Sequence, residues 1–94
     1  MKIATWNRQR LEKRKNQQIL DKLVDINADI LVLTETNSII QLDNYHCVST
    51  DPLPSNFDNI KYNVGENRVS ILTKYKTTIR YKTFDSFTTV CTDI

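Results

Sequence analysis

Two residues in this chain have the chemistry and the placement to act together. Asn7 closes the run Lys2-Ile3-Ala4-Thr5-Trp6-Asn7, and Glu35 closes the run Asp29-Ile30-Leu31-Val32-Leu33-Thr34-Glu35, which continues into Thr36. A glutamate brings a hard carboxylate and an asparagine a neutral amide oxygen. Magnesium takes oxygen ligands, uses only one or two carboxylates, and keeps several waters for substrate phosphates. The pair therefore suits a phosphate-directed Mg²⁺ or Mn²⁺, and not zinc, which favours histidine and cysteine. Arg8 and Arg10 follow Asn7 directly, and Lys13, Arg14 and Lys15 complete a basic cluster. Positive charge at a helix start opposes the macrodipole, so the cluster is easier to understand beside an anionic substrate. Arg8 and Arg10 are the candidate phosphate contacts.

Read singly, none of these residues is specific. An asparagine ending a strand is commonly a turn residue, a glutamate after one is commonly solvated, and a basic cluster is commonly a helix face in water. What makes them a candidate site is the scaffold between them. Residues 2–6 predict a short strand buried on both faces. From about Glu12 to Ile26 the pattern is helical, with Ile19, Leu20, Leu23 and Val24 on one stripe and Asn27 as the stop. Residues 30–34 predict a central parallel strand. Strand, helix, strand over about thirty residues is a βαβ unit with a right-handed crossover. Such a unit brings Asn7 and Glu35 out together at the carboxyl ends of adjacent strands, where sites form in open α/β sheets.

The rest of the chain reads as mostly β. Residues 36–43 predict a loop and Tyr45–Thr50 a strand. Asp51–Glu66, rich in proline and asparagine, predicts a loop. Arg68–Lys74 predicts a strand, and two further β-prone stretches, Thr78–Phe84 and Phe87–Thr92, flank a turn at Asp85-Ser86. Gly65 is the only glycine, so tight turns must use asparagine and aspartate.

The bulk composition bounds the class. A chain of 94 residues, 39% hydrophobic and 26% charged, is one small globular domain. A domain of this size buries roughly 60–70% of its unfolded surface, enough to fold with little margin. The net charge of +2 does not by itself imply a nucleic-acid partner. Two widely separated cysteines, Cys47 and Cys91, form neither a disulfide framework nor a zinc site. Free thiols point to a reducing compartment. No apolar run approaches the length of a membrane span and no signal peptide is visible, so the expected location is cytoplasmic.

The two strand ends, with Trp6-Asn7 in one and Thr34-Glu35-Thr36 in the other, resemble the opening of the endonuclease/exonuclease/phosphatase superfamily, the metal-dependent phosphoesterases related to exonuclease III and DNase I. Val69-Ser70-Ile71-Leu72-Thr73-Lys74 is similar to a later strand of that family, with Arg68 where glycine is usual and Ser70 where alanine is usual. The resemblance implies the N-terminal part of a four-layer α/β sandwich spanning residues 1–94. It also implies that Glu35 binds the divalent metal directly, with Asn7 as a ligand or orienter, for in-line attack of water on a phosphoester. The substrate would be DNA, RNA, a phospholipid or another phosphoester.

The family's later motifs, a Thr-His, an Asp-x-Asn and a closing Ser-Asp-His, are not in this sequence. The one histidine, His46, comes too early and reads as a polar residue on a half-exposed strand. The expectation is a portion of a family domain with little activity alone, and with an uncovered sheet face and edge that favour self-association. A competing reading is a small nucleic-acid-binding or assembly module. Lys74, Lys76, Arg80 and Lys82 would line one face if Lys74–Thr83 were a single strand. Phe57 and Tyr62, in the loop-like segment, read as packing residues or substrate contacts.

Overall fold

Strand β1 (Ile3–Asn7) and strand β2 (Ile30–Asn37) pair in parallel, from Ile3 opposite Ile30 to Asn7 opposite Thr34. Helix α1 (Asn16–Ile26), entered through a 3-10 turn at Lys13–Lys15, connects them. The structure, a computed structural model, describes residues 1–10, 13–77 and 79–94. Leu11, the expected helix start at Glu12 and the expected strand start at Thr78 lie outside the described residues.

The helix forms where its stripe predicts. Ile19 and Leu23 are buried on it, while Val24, assigned to the same stripe, is 64% exposed. Asn27 ends the helix in the left-handed conformation (φ 48°, ψ 47°), its N–H donating to the Leu23 carbonyl at 3.1 Å. That is the single-bond left-handed cap, a role asparagine fills when glycine is absent.

Beyond β2, strand β3 (His46–Ser49) and the long strand β6 (Glu66–Thr73) complete a mixed sheet of order β1-β2-β6-β3. Strand β6 runs antiparallel to both neighbours, with Leu31 opposite Leu72 and Cys47 opposite Leu72 on its other side. Helix α1 packs on one face of this sheet. The core joins Ile19 and Leu23 of the helix to Leu31, Leu33 and Leu72 of the strands, together with Ala28 and Ile40. Burying a leucine-sized side chain contributes about 1.5–3 kcal/mol, so this cluster is the main source of stability. The protein is a small mixed α/β domain dominated by its sheet.

Two expectations need correction. Strand β1 is not buried on both faces: its only ladder partner among the described residues is β2, and Ile3 is 61% exposed. The loop-like segment 51–66 contains a minimal hairpin, β4 (Asn56–Phe57) paired with β5 (Ile60–Lys61). Its turn uses Asp58 and Asn59, both left-handed (φ 52° and 62°), so the residues that predict a loop serve here as a tight turn between strands. The condition of the competing reading, that Lys74–Thr83 form one strand, is not met. After β6 ends at Thr73, the next ladder is the two-residue pair β7 (Arg80–Tyr81) with β8 (Cys91–Thr92). The alternation that would line four cations on one face therefore does not run through this segment.

Candidate metal and phosphate site

The parallel pairing carries Asn7 to a position opposite Thr34, one residue before Glu35. The backbone past Asn7 keeps contact with β2: Arg8 N–H donates to the Thr34 carbonyl at 2.9 Å and Arg10 N–H to the Glu35 carbonyl at 3.2 Å. Asn7 is exposed, and its Oδ1 accepts the Gln9 N–H at 2.8 Å. This is a side-chain-closed turn of the kind asparagine favours. It lets Gln9 and Arg10 adopt left-handed backbone (φ 57° and 54°).

Glu35 is itself left-handed, with φ 51°. It lies between the ladder pairs Thr34–Val69 and Thr36–Asn67, opposite Arg68 but not paired with it. A glutamate held there costs of order 1–3 kcal/mol of backbone strain, and such outliers cluster where geometry serves function. Its half-buried side chain lines a small cavity with Arg10, Thr36, Leu53, Tyr62, Glu66, Asn67 and Arg68. Asn7 does not line that cavity. The two residues therefore approach along the backbone, while their side chains occupy different surroundings.

Arg10 crosses from the loop after β1 to the start of β6. Its Nε donates to Glu66 Oε1 at 2.8 Å and its Nη2 to Glu66 Oε2 at 3.1 Å. Nη2 also donates to the Lys61 carbonyl, and the guanidinium lies 4.4 Å from the centroid of the Tyr62 ring. Tyr62 is thus a packing platform for Arg10. Glu66 further accepts the Asn63 N–H at 2.6 Å. The Arg10 hydrogen bond, helped by the Asn63 N–H, holds the Glu66 carboxyl below its usual range. Arg10 is raised in turn, mainly by Glu66 and to a lesser extent by Tyr62 and Glu35.

Arg8 has a different fate. It is 2% exposed, and its Nη2 donates to Asn16 Oδ1 at 2.7 Å. Asn37 Nδ2 reaches the same oxygen at 3.3 Å. Burial lowers the Arg8 guanidinium from its ordinary value, and the Glu66 charge partly offsets this. Arg8, Asn16 and Asn37 together tie the end of β1, the start of α1 and the end of β2. Arg8 thus has a structural place, whereas Arg10 keeps partial contact with water.

Sequence reasoning missed Thr36, Glu66, Asn67 and Arg68. Thr36 Oγ1, Asn67 Oδ1 and Arg68 Nε are buried in the structure without a hydrogen-bond partner among the described residues. Asn67 Nδ2 donates to the Thr50 carbonyl at 2.8 Å, which turns its oxygen the other way. The cavity measures about 10 Å³, room for one water-sized group. Buried polar atoms left unsatisfied cost about 1–3 kcal/mol each, and three residues that carry one also line this cavity. The advance signals were the place of Thr36 directly after Glu35 and the position of Glu66, Asn67 and Arg68 at the start of the strand that follows Gly65.

The oxygen donors near Glu35 match a hard cation in type, and Glu66 is committed to Arg10. Among the described residues no group of three or more histidine, cysteine, aspartate or glutamate side chains converges on one point. The cavity admits at most one water-sized group, so a cation at Glu35 would draw its remaining water ligands from outside it. Both cysteines are free thiols, Cys47 half-buried and Cys91 exposed. His46 is exposed on β3. No described helix is long and apolar enough to cross a membrane. No protein-family model, curated protein or solved structure matches this chain.

Proposed function

We propose that this chain carries the opening part of a metal-dependent phosphoesterase site, in which Glu35 is the carboxylate ligand of Mg²⁺ or Mn²⁺. The observation that carries the reading is the parallel pairing of β1 and β2, which brings Asn7 opposite Thr34 and leaves Glu35 strained at the same sheet end. A bound divalent cation would stabilise charge on phosphoryl oxygens. Asn7 Oδ1 accepts one backbone N–H and retains a second lone pair for a metal-held water, while its Nδ2 donors suit a phosphate oxygen. Arg10 holds Glu66 and the Lys61 carbonyl through Nε and Nη2, which leaves Nη1 to donate to a phosphate oxygen. The DNase I-like sandwich belongs to this same reading.

Among the described residues no cluster of three or more histidine, cysteine, aspartate or glutamate side chains accompanies Glu35, so little hydrolysis is expected of the chain alone. The decisive experiment is Mn²⁺ titration of the intact chain by calorimetry or electron paramagnetic resonance, beside Glu35→Ala. A single site lost in the variant is expected, with no phosphodiester cleavage by either protein. Equal Mn²⁺ binding by Glu35→Ala would overturn the metal assignment. Turnover by the wild type, abolished by Glu35→Ala, would overturn the incomplete site.

A further inference from the structure

The segment after β7 forms a groove that the Glu35 site does not use. Asp51, Arg80, Tyr81, Lys82, Phe84 and Ser86 are among its lining residues, and it measures about 460 Å³. That lies within the roughly 300–1,000 Å³ typical of ligand sites. Its aromatic side chains are not packed away. Phe84 is fully exposed (108%) and Tyr81 is 46% exposed. A nearby aromatic, Phe87, does find a partner: its ring centroid lies 5.6 Å from that of Phe57. Phe84 thus stands out as an apolar ring left in water at the wall of a groove.

The cations in the same wall are Arg80 and Lys82. Arg80 Nη2 meets Asp51 Oδ1 at 3.0 Å, with both side chains about 40% exposed. Such an exposed pair contributes little stability, and the arginine keeps donors toward solvent. Lys82 is exposed and has no ion-pair partner among the described residues. The Asp51 carboxyl lies below its usual range, chiefly through a hydrogen bond from Ser86 and then through Arg80. It therefore stays charged and fixes Arg80 at the groove.

From these exposed rings and cations we propose that the groove between Asp51 and the Arg80–Ser86 segment binds single-stranded nucleic acid, with bases stacked on Phe84 and Tyr81 and phosphates on Lys82 and Arg80. Stacking on aromatic rings plus backbone neutralisation is the common physics of sequence-tolerant single-strand binding. The chemistry favours an unpaired strand over a duplex, because only an unpaired base can offer its face to Phe84. It does not require the whole Lys74–Lys82 stripe, which the fold does not form. It is independent of the Glu35 reading, since no groove residue lines the Glu35 cavity.

The test is fluorescence anisotropy of a labelled oligothymidylate with the intact chain in EDTA, so that metal binding and cleavage play no part. Wild type should bind, more tightly than it binds a blunt duplex of equal length, and more weakly as salt rises. Phe84→Ala should weaken binding about five-fold or more, the low end for one stacked base. Lys82→Ala should flatten the dependence of log K on log salt by about 0.7. Glu35→Ala should change nothing. Phe84 and Lys82 are exposed positions, and circular dichroism of all three variants checks that they fold. No binding, equal affinity for duplex, indifference to Phe84→Ala, or binding only to anionic lipid vesicles would each overturn the proposal.

Discussion

The Arg10 guanidinium grips the Glu66 carboxylate through two hydrogen bonds, at 2.8 and 3.1 Å, across 56 residues of sequence. This contact pins the loop after β1 to the start of β6, beside Glu35. Glu66 is 8% exposed, so its charge cannot be left to water if the arginine is lost.

The contact makes stability depend on acid. Hydrogen bonds from Arg10 and Asn63 hold the Glu66 carboxyl below its unfolded value. A depressed carboxyl stabilises the fold fully above its unfolded pKa, near 4.3 for glutamate, and loses that share as pH falls through the folded pKa. Thermal melts from pH 6 downward should show Tm falling below about pH 4. Glu66→Gln should lower stability at neutral pH by roughly 1–3 kcal/mol, as expected for a hydrogen bond to a charged group, and should flatten the acid limb. A variant melting as steeply in acid as wild type would locate the titration elsewhere.

Strain at Glu35 separates stability from function. Its left-handed backbone costs glycine nothing and any L side chain something. Glu35→Gly should therefore be more stable than Glu35→Ala by about 1 kcal/mol, read from chemical denaturation. Neither variant should bind Mn²⁺. If alanine were tolerated as well as glycine, the strained backbone at Glu35 would not be present in solution.

Much of this arrangement was legible from the chain because it follows from local pattern. The stripe of Ile19 and Leu23 and the apolar run 30–34 are written in adjacent residues, and each became the element it predicts. The use of asparagine for left-handed turns followed from the single glycine, and Asn27, Asn44 and Asn59 bear it out. What was not legible is long-range. Nothing in the sequence near Arg10 says that its partner is Glu66, because β6 must first insert beside β2 rather than at the sheet edge. Arg8 looked equivalent to Arg10, yet a two-residue shift along the turn sends one side chain under α1 and the other toward β5. The partial exposure of β1 was likewise invisible, since an apolar run looks the same in a central strand and in an edge strand.

Capping at Asn27 gives a local test. Its left-handed backbone closes α1, and its Oδ1 accepts Lys74 Nζ at 2.7 Å. Asn27→Ala should cost about 1 kcal/mol through backbone strain. Asn27→Gly should retain wild-type stability within about 0.5 kcal/mol, because the exposed lysine contact contributes little. Urea denaturation of the two variants distinguishes the backbone contribution from the side-chain one.

The edge of the sheet gives the last test. Strand β1 has β2 on one side and no ladder partner on the other among the described residues, while Ile3 and Met1 are 61% and 81% exposed. An edge strand with exposed aliphatic residues is a template for pairing with another chain, and a lysine at such a position is the usual way proteins suppress it. The wild-type chain should therefore show an apparent mass that rises with concentration in light scattering or sedimentation. Ile3→Lys should restore a monomer. Because Ile3 contributes little to the core, the variant should keep wild-type stability within about 0.5 kcal/mol. A wild type that stays monomeric across the concentration range would mean that the polar residues of β1, Thr5 and Asn7, suffice to protect the edge.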